Sequence, residues 1–144
     1  MRPRIVAIAA AVVAVIGCGQ PVPVQFKDRP GDAEVVDEAF AILGIEYETT
    51  NRTRGTIHIA LVDDYSEEAA TGIRVLDARC YKAIVAERLP QTLAHELGHA
   101  LGLGHCDEAC EPANLMYSPS FGVGLTDDQL DDLDRGRRRI TGCR

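Results

Sequence analysis

The chain has 144 residues, the length of about one small domain. Its 22 acidic residues outnumber its 15 basic residues and give a formal net charge of −7 at pH 7. An acidic surface of this kind argues against nucleic acids and anionic membrane faces as partners.

Residues 1–17 have the pattern of a secretory signal peptide. Arg2 and Arg4 precede an unbroken apolar run at 5–16, which is too short to span a bilayer. A small residue and then Cys18 follow the run directly, and this ending resembles the lipobox of bacterial lipoproteins. The resemblance implies that Cys18 is acylated and becomes the mature N-terminus. The alternative is an ordinary secretory signal with an incidental cysteine, and either pattern predicts export.

Acyl chains on Cys18 would attach the protein to a lipid bilayer. Residue 19 is Gly, whereas many Gram-negative lipoproteins that stay at the inner membrane carry Asp there. By this resemblance we expect a lipid-anchored protein of the bacterial cell envelope, with the outer membrane favoured. Residues 18–144 are expected to form a single domain on a very short tether, as a monomer.

The first elements after the signal are a strand and a helix. Residues 22–27 are typical of a strand, in which Pro23 suits only a strand start or an edge. Asp32 is expected to cap the helix that follows, and Gly44 to end it. The apolar residues of the helix repeat with helical spacing. They are Val35, Val36, Ala39, Phe40 and Leu43.

Four strands are expected next, at 45–50, 56–62, 73–78 and 81–86. The second of these alternates apolar and polar residues, which predicts one buried face. His58 falls on the opposite face, so we interpret it as a surface or packing residue and not as a metal ligand.

Two helices complete the expected order. Pro90 suits the first turn of one helix, where a missing N–H costs nothing. The apolar face of that helix consists of Leu93, Leu97, Ala100 and Leu101. The last helix is expected to begin at Thr126, with Gln129 completing a capping box.

The helix that begins at Pro90 carries a pattern typical of a catalytic zinc site. His95 and His99 are four residues apart, so their imidazoles project from one face of a helix. Glu96 lies beside them, placed to act on a water molecule rather than to bind the metal. Gly102 allows the chain to leave the helix, which brings in His105 as a third ligand. Three protein ligands leave the fourth position of a zinc ion open, as in catalytic sites.

The residues after this motif indicate a family. Met116 follows His105 at the distance of a Met-turn, a tight turn beneath the zinc. Together with the histidine motif it resembles the metzincin metalloproteases, and residues 101–105 and 115–117 are most similar to the matrixin branch. The resemblance implies an α+β fold with a twisted mixed sheet of about five strands, about three helices, and one catalytic Zn²⁺. Matrixins carry an Asp- and His-rich loop for further metals. The stretch from Tyr81 to Pro90 has no such cluster, which argues against a second metal.

By this resemblance the expected activity is that of a zinc endopeptidase on protein or peptide substrates. Glu96 would be the general base that takes a proton from a zinc-activated water. An extended substrate would add to the sheet edge, which we place at 73–78, and 118–121 would shape the pocket beyond the cleaved bond. Two alternatives remain open: a zinc-binding lipoprotein that no longer cleaves and serves as an envelope adaptor, and a hydrolase of short or cell-wall peptides.

Four cysteines remain if Cys18 is lipidated. An even number in an exported domain indicates two disulfides, with three possible pairings. A local bridge between Cys106 and Cys110 is plausible. In archaemetzincins a cysteine after the third histidine joins a second zinc site, which is the rival interpretation. The disulfide candidates are Cys80, Cys106, Cys110 and Cys143.

Overall fold

The computed structural model describes residues 19–63, 72–77, 80–106, 110–117 and 122–143. The expected order of one strand, one helix, four strands and two helices is confirmed. The elements are β1 (Val22–Phe26), α1 (Asp32–Leu43), β2 (Tyr47–Thr49), β3 (Thr56–Val62), β4 (Gly72–Asp77), β5 (Tyr81–Glu87), α2 (Pro90–Ala100) and α3 (Asp127–Thr141).

The five strands form one mixed sheet in the order β2-β1-β3-β5-β4. All neighbouring pairs are parallel except β4 with β5, which is antiparallel. Parallel neighbours need crossover connections, and α1 provides one between β1 and β2. Helices α1 and α2 contact each other, and α2 also contacts β5 and β4. The helix with the histidines therefore lies over the end of the sheet where β4 is the edge strand.

The core is built from alternate residues of the strands and from one face of each of the three helices. In β3 the alternation is as expected, because Ile57, Ile59 and Leu61 are buried. His58 points to the other face and is half-buried, and its Nε2 lies 3.3 Å from the carbonyl oxygen of Thr53. In α1 the buried apolar residues are Val36, Ala39, Phe40 and Leu43, and Val35 is partly buried against them.

Strand β1 tolerates a proline because of where pairing with β3 begins. The register with β3 starts at Val24, whereas Pro23 is paired only with Glu48 of β2. On the β2 side, Val22 donates to the carbonyl of Glu46, and Val24 accepts from Thr50. Pro23 therefore stands near the strand start, where its missing N–H removes no bond to β3.

The sequence prediction of Asp32 as the cap of α1 is wrong. Gly31 occupies the N-cap position with a φ of 87°, and Asp32 is the first helical residue. The Asp32 carboxylate is 1% exposed and lies 2.6 Å from Arg88 Nη1 and 3.2 Å from Arg29 Nε. A buried carboxylate that is paired with two guanidinium groups is not free to accept from the first turn. Its charge still suits the positive end of the helix dipole.

The second strand is shorter than the expected 45–50 because its first residues belong to the end of α1. Gly44 adopts the left-handed conformation, with a φ of 67°, and its N–H donates to the carbonyl of Ala41. The N–H of Ile45 donates to the carbonyl of Phe40. These bonds end the helix as predicted and take Ile45 out of the strand. The register with β1 covers Tyr47–Thr49, and Glu46 and Thr50 on either side each make one hydrogen bond to β1.

The last helix, α3, starts as the sequence predicts. The Thr126 hydroxyl accepts from the N–H of Gln129, and the Gln129 side chain accepts from the N–H of Thr126, which is a complete capping box. A methyl group on Gly136 would lie 1.7 Å from the carbonyl oxygen of Leu101. The backbone of α3 therefore packs directly on the turn that follows α2. Across the part of the chain that the structure describes, no helix is long and apolar enough to cross a membrane.

Candidate metal centre

Helix α2 holds two histidines on one face and is fixed by the residues of its opposite face. Pro90 occupies the first turn, as expected. Leu93, Leu97 and Ala100 are buried, which fixes the rotation of the helix. Since 3.6 residues make one turn, His95 and His99 project next to each other. The His95 ring is buried, with 4% exposure.

The chain reverses after α2 through Gly102. This residue has a φ of 104°, which a residue with a side chain adopts only with strain. Its N–H donates to the carbonyl of His99, and the N–H of Leu103 donates to the carbonyl of Gly98. Leu103 is buried and anchors the returning chain. The reversal brings His105 back beside the helix.

The three histidines converge on one point. The Nε2 atom of His95 lies 3.1 Å from that of His99 and 3.2 Å from that of His105, and the remaining pair is 3.0 Å apart. Tetrahedral zinc, with Zn–N distances of about 2.0–2.1 Å, keeps its nitrogen ligands about 3.3 Å apart. The group could hold a metal ion, and its spacing fits zinc.

Backbone carbonyls determine which nitrogen of two rings faces the centre. The Nδ1 of His95 lies 2.8 Å from the carbonyl oxygen of Leu115, and the Nδ1 of His99 lies 2.8 Å from that of Leu103. A carbonyl can only accept, so in both rings Nδ1 carries the proton and a neutral Nε2 presents its lone pair. Lone pairs that meet at such distances repel unless a cation lies between them. This donor set therefore fits a bound metal ion.

The electrostatics of the site keep one ligand neutral and make the neighbouring carboxylate more basic. Burial lowers the pKa of His95; its bond to the Leu115 carbonyl opposes this, while His99 and His105 lower the pKa further. Burial also raises the pKa of Glu96, and the charge of His105 partly offsets that rise. Glu96 is 8% exposed and follows His95 directly on α2. Its carboxylate is thus positioned beside the ligands and is a stronger base than a solvated one.

Met116, which we predicted to form a Met-turn, packs against helix α2. Its side chain is fully buried, and a methyl group on Gly98 would lie 2.8 Å from its Sδ. Gly98 stands between His95 and His99 on α2, so the Met116 thioether packs directly against the part of the helix that bears both ligands. We did not predict this role of Gly98, although a glycine inside a helix is a known sign of close packing.

The cysteines form two disulfides, as expected, and the structure assigns the pairing. Cys80 joins Cys143, and Cys106 joins Cys110. The first bridge links the start of β5 to the end of α3, and the second closes a short loop directly after His105. Sulfur atoms in disulfides are not thiolate ligands, so the pairing favours bridges over a second zinc site.

Several predicted positions lie elsewhere or beyond the described residues. His58 is not in the metal-binding group, in agreement with its interpretation as a surface or packing residue. Strand β4, which corresponds to the strand expected at 73–78, is at the edge of the sheet, as expected. Ala78, the last residue of that expected strand, is outside the described residues. Cys18 and the expected pocket residues 118–121 are also outside them.

Some functional atoms were not predicted at all. The carbonyl oxygens of Leu103 and Leu115 orient two ligands, but every residue has such an oxygen, so no residue type signals it. The buried side chain of Asn114 accepts from the N–H of Met116 at 2.8 Å. Asn side chains often bond the main-chain N–H two residues further on, so the spacing of Asn114 and Met116 is a sequence signal for this contact.

Comparison with known proteins agrees with this geometry. The family model for matrixins matches residues 20–135, which is more than half of the chain and contains the three histidines, Glu96 and Met116. No curated protein and no solved structure matches the chain. Matrixins are zinc metallopeptidases, and a group of three histidines that could hold a metal ion fits that class. The chain belongs to the matrixin family.

Proposed function

We propose that this protein is a zinc-dependent endopeptidase of the bacterial cell envelope, attached to a lipid bilayer through Cys18. The observation that supports the enzymatic part is the convergence of the three histidine Nε2 atoms within 3.2 Å of one another. The buried carboxylate of Glu96 is on α2, the helix that carries two of these histidines. Membership of the matrixin family supports the same chemistry.

His95, His99 and His105 would hold the zinc ion through Nε2. When bound, zinc polarises a carbonyl group and lowers the pKa of water towards neutrality. The residues themselves supply orientation. The Leu115 and Leu103 carbonyls hold two of the rings in the tautomer that binds a metal, and the buried Met116 supports the helix from below.

Glu96 would move the protons of the reaction. A general base is most effective when its pKa is close to the working pH. Burial raises the pKa of Glu96 in that direction. Its carboxylate takes the proton of the attacking water and then delivers it to the amine that leaves when the peptide bond breaks. The three histidines neither give nor take a proton in these steps.

The edge of the sheet suggests how a substrate is held. Strand β4 is last in the sheet and pairs with β5 on one side, and α2 lies against it. A peptide in extended conformation can add to such an edge through main-chain hydrogen bonds, which makes binding tolerant of side chains. We propose β4 as this docking edge, antiparallel to the substrate.

A peptide library tests this proposal against its alternatives. The purified protein is incubated with mixed peptides, with and without a zinc chelator, and the products are sequenced. Cuts inside long peptides that stop with chelator support an endopeptidase. Cuts confined to peptide ends or to cell-wall peptides support a hydrolase of short substrates, and no cut by zinc-loaded protein supports an adaptor that has lost its activity.

We propose the lipid anchor from the sequence pattern of residues 1–18. The contacts of Gly19 and Gln20, the first residues that the structure describes, are compatible with it. Gly19 lies against the Arg137 guanidinium of α3, and Arg137 Nη1 donates to the carbonyl of Gln20 at 3.1 Å. An anchor at Cys18 would thus be joined to the domain by a very short tether.

Mass spectrometry of the mature N-terminus tests the anchor. We expect an acylated Cys18 and partition of the protein with membranes, and we expect Cys18→Ser to block both. An unmodified N-terminus at any other residue would exclude this anchor while leaving the enzymatic proposal intact.

A further inference from the structure

A buried amide lies between the start of α3 and the turn that carries Met116. Asn114 is 7% exposed, so its polar atoms need partners inside the protein. Its Nδ2 donates to Gln129 Oε1 at 2.8 Å, and Gln129 Nε2 donates back to its Oδ1 at 3.3 Å. The same Oδ1 accepts from the N–H of Met116 at 2.8 Å. Asn114 thus connects α3 to the Met-turn, which we define here as residues 114–117.

The Met-turn in turn holds two parts of the metal centre. The carbonyl of Leu115 accepts from His95 Nδ1 at 2.8 Å. The carbonyl of Met116 accepts from the N–H of Cys106 at 3.2 Å, and Cys106 directly follows His105. A shift of the backbone at 115–116 would therefore turn the ring of His95 and displace His105.

The other partner of Asn114 is itself fixed. Gln129 Oε1 accepts from the N–H of Thr126 at 2.9 Å, and the Thr126 hydroxyl accepts from the N–H of Gln129 at 3.3 Å. The main-chain N–H of Thr126 thus holds the Gln129 amide in one orientation, which makes it a rigid partner for Asn114.

We propose that Asn114 is a positioning residue for the metal centre: it transmits the fixed position of the Gln129 amide, through the Met-turn, to His95 and His105. The inference rests on the proposed function only in that zinc is the ion these histidines hold. It assigns Gln129 a second role besides helix capping. It also predicts that zinc affinity depends on a residue that acts on the ligands through main-chain hydrogen bonds.

Zinc affinity of the full-length protein, measured by competition with a chelator of known affinity, tests the proposal. Residues that support metal ligands typically contribute 10–100-fold to affinity, and because Asn114 acts at one remove we expect Asn114→Ala to weaken binding about tenfold. The matched control is Thr126→Ala. It removes the hydroxyl that accepts from the N–H of Gln129 but keeps the main-chain N–H of residue 126 that holds Gln129 Oε1. The Asn114–Gln129 pair therefore stays in place, and zinc affinity should stay within about twofold of wild type.

Two further variants keep the test decisive if Asn114→Ala does not fold. Gln129→Ala removes the other half of the capping box together with the partner of Asn114, and we expect several-fold weaker zinc binding than for Thr126→Ala. Gln129→Glu keeps the acceptor oxygen for Asn114 Nδ2 but replaces the Nε2 donor with an oxygen that faces Asn114 Oδ1, so its affinity should fall between those of Gln129→Ala and wild type. In zinc-loaded protein, the NMR signal of the His95 Nδ1 proton should exchange with water faster in Gln129→Ala than in Thr126→Ala.

The outcomes separate this inference from the proposed function. Wild-type protein that binds no zinc would contradict both. Wild-type protein that binds zinc, together with Asn114→Ala and Gln129→Ala variants whose affinities equal that of Thr126→Ala, would overturn the positioning role alone.

Discussion

At the scale of single residues, the site depends on contacts that fix the unprotonated nitrogen of two of its three histidine rings. His95 and His99 both give their Nδ1 proton to a main-chain carbonyl, at 2.8 Å in each case. A ring held in this way loses little freedom when it binds a metal, and its partner raises the basicity of Nε2. Helix α2 brings His95 and His99 close together, and the two carbonyls fix the orientation of their rings.

Replacement of one of these rings should abolish zinc binding. We expect His99→Ala to weaken zinc affinity by more than the roughly 10–100-fold that loss of an outer partner costs, because a direct ligand is removed. His58→Ala is the matched control, since His58 lies outside the metal-binding group. Zinc content after dialysis measures both. One zinc per chain retained in His99→Ala would contradict the assignment of this ligand.

At the scale of secondary-structure elements, α3 is held against the turn after α2 by a close backbone contact. A methyl group on Gly136 would lie 1.7 Å from the Leu101 carbonyl oxygen, and a backbone atom cannot move aside as a side chain can. Gly136 is therefore needed for packing, although glycine lowers helix propensity.

Gly136→Ala should destabilise the protein in spite of its better helix propensity. Alanine gains about 1 kcal/mol of propensity, whereas overpacking costs about 3 kcal/mol, so we expect a net loss of about 2 kcal/mol in the free energy of unfolding. Urea denaturation measures the change. Gly104→Ala is the control, because nothing lies within 4 Å of its methyl position. Equal stability of the Gly136 variant and wild type would show that α3 does not pack this closely.

The two disulfides join different elements and should differ in what their loss affects. Cys80 and Cys143 are 63 residues apart, and Cys106 and Cys110 are 4 apart. In the chain-entropy account, closing these loops stabilises the folded state by about 4 and about 2 kcal/mol respectively. The longer bridge is therefore expected to matter more for the fold, and the shorter one, next to His105, for the metal centre.

Paired serine variants test this division. Replacing Cys80 and Cys143 should lower the free energy of unfolding more, whereas replacing Cys106 and Cys110 should weaken zinc affinity more. Denaturation and chelator competition on both variants give the comparison. If the Cys106/Cys110 variant bound zinc as tightly as wild type, the short bridge would have no role in holding His105.

At the scale of the whole molecule, local patterns predicted more than long-range contacts did. The ligand spacing, the Gly102 turn and the Thr126–Gln129 capping box depend on residues close in sequence, and the structure shows each of them. The prediction of Asp32 as the helix cap was wrong because the Asp32 carboxylate pairs with Arg88 instead of the first turn of the helix. Arg88 is distant in sequence and meets Asp32 only in the fold. The carbonyl partners of His95 and His99 could not be predicted, since a main-chain oxygen leaves no mark in the sequence. The even number of cysteines indicated two disulfides, but only the fold shows which of the three possible pairings forms.

The central claim is that Glu96 is the base of a zinc-dependent cleavage reaction. Glu96→Gln keeps the shape of the side chain and all three histidines but removes the basic oxygen. General base catalysis contributes about 10²–10⁴-fold to rates, so we expect a loss of activity of that size with zinc content unchanged. Glu38→Gln, the same change at an exposed site on α1, should have no effect.

Zinc content and peptide cleavage, measured together on the Glu96→Gln protein, test this claim most directly. The account predicts one zinc ion per chain and cleavage at least about 100-fold slower than wild type. A zinc-loaded Glu96→Gln protein that cleaves peptides at the wild-type rate would contradict it.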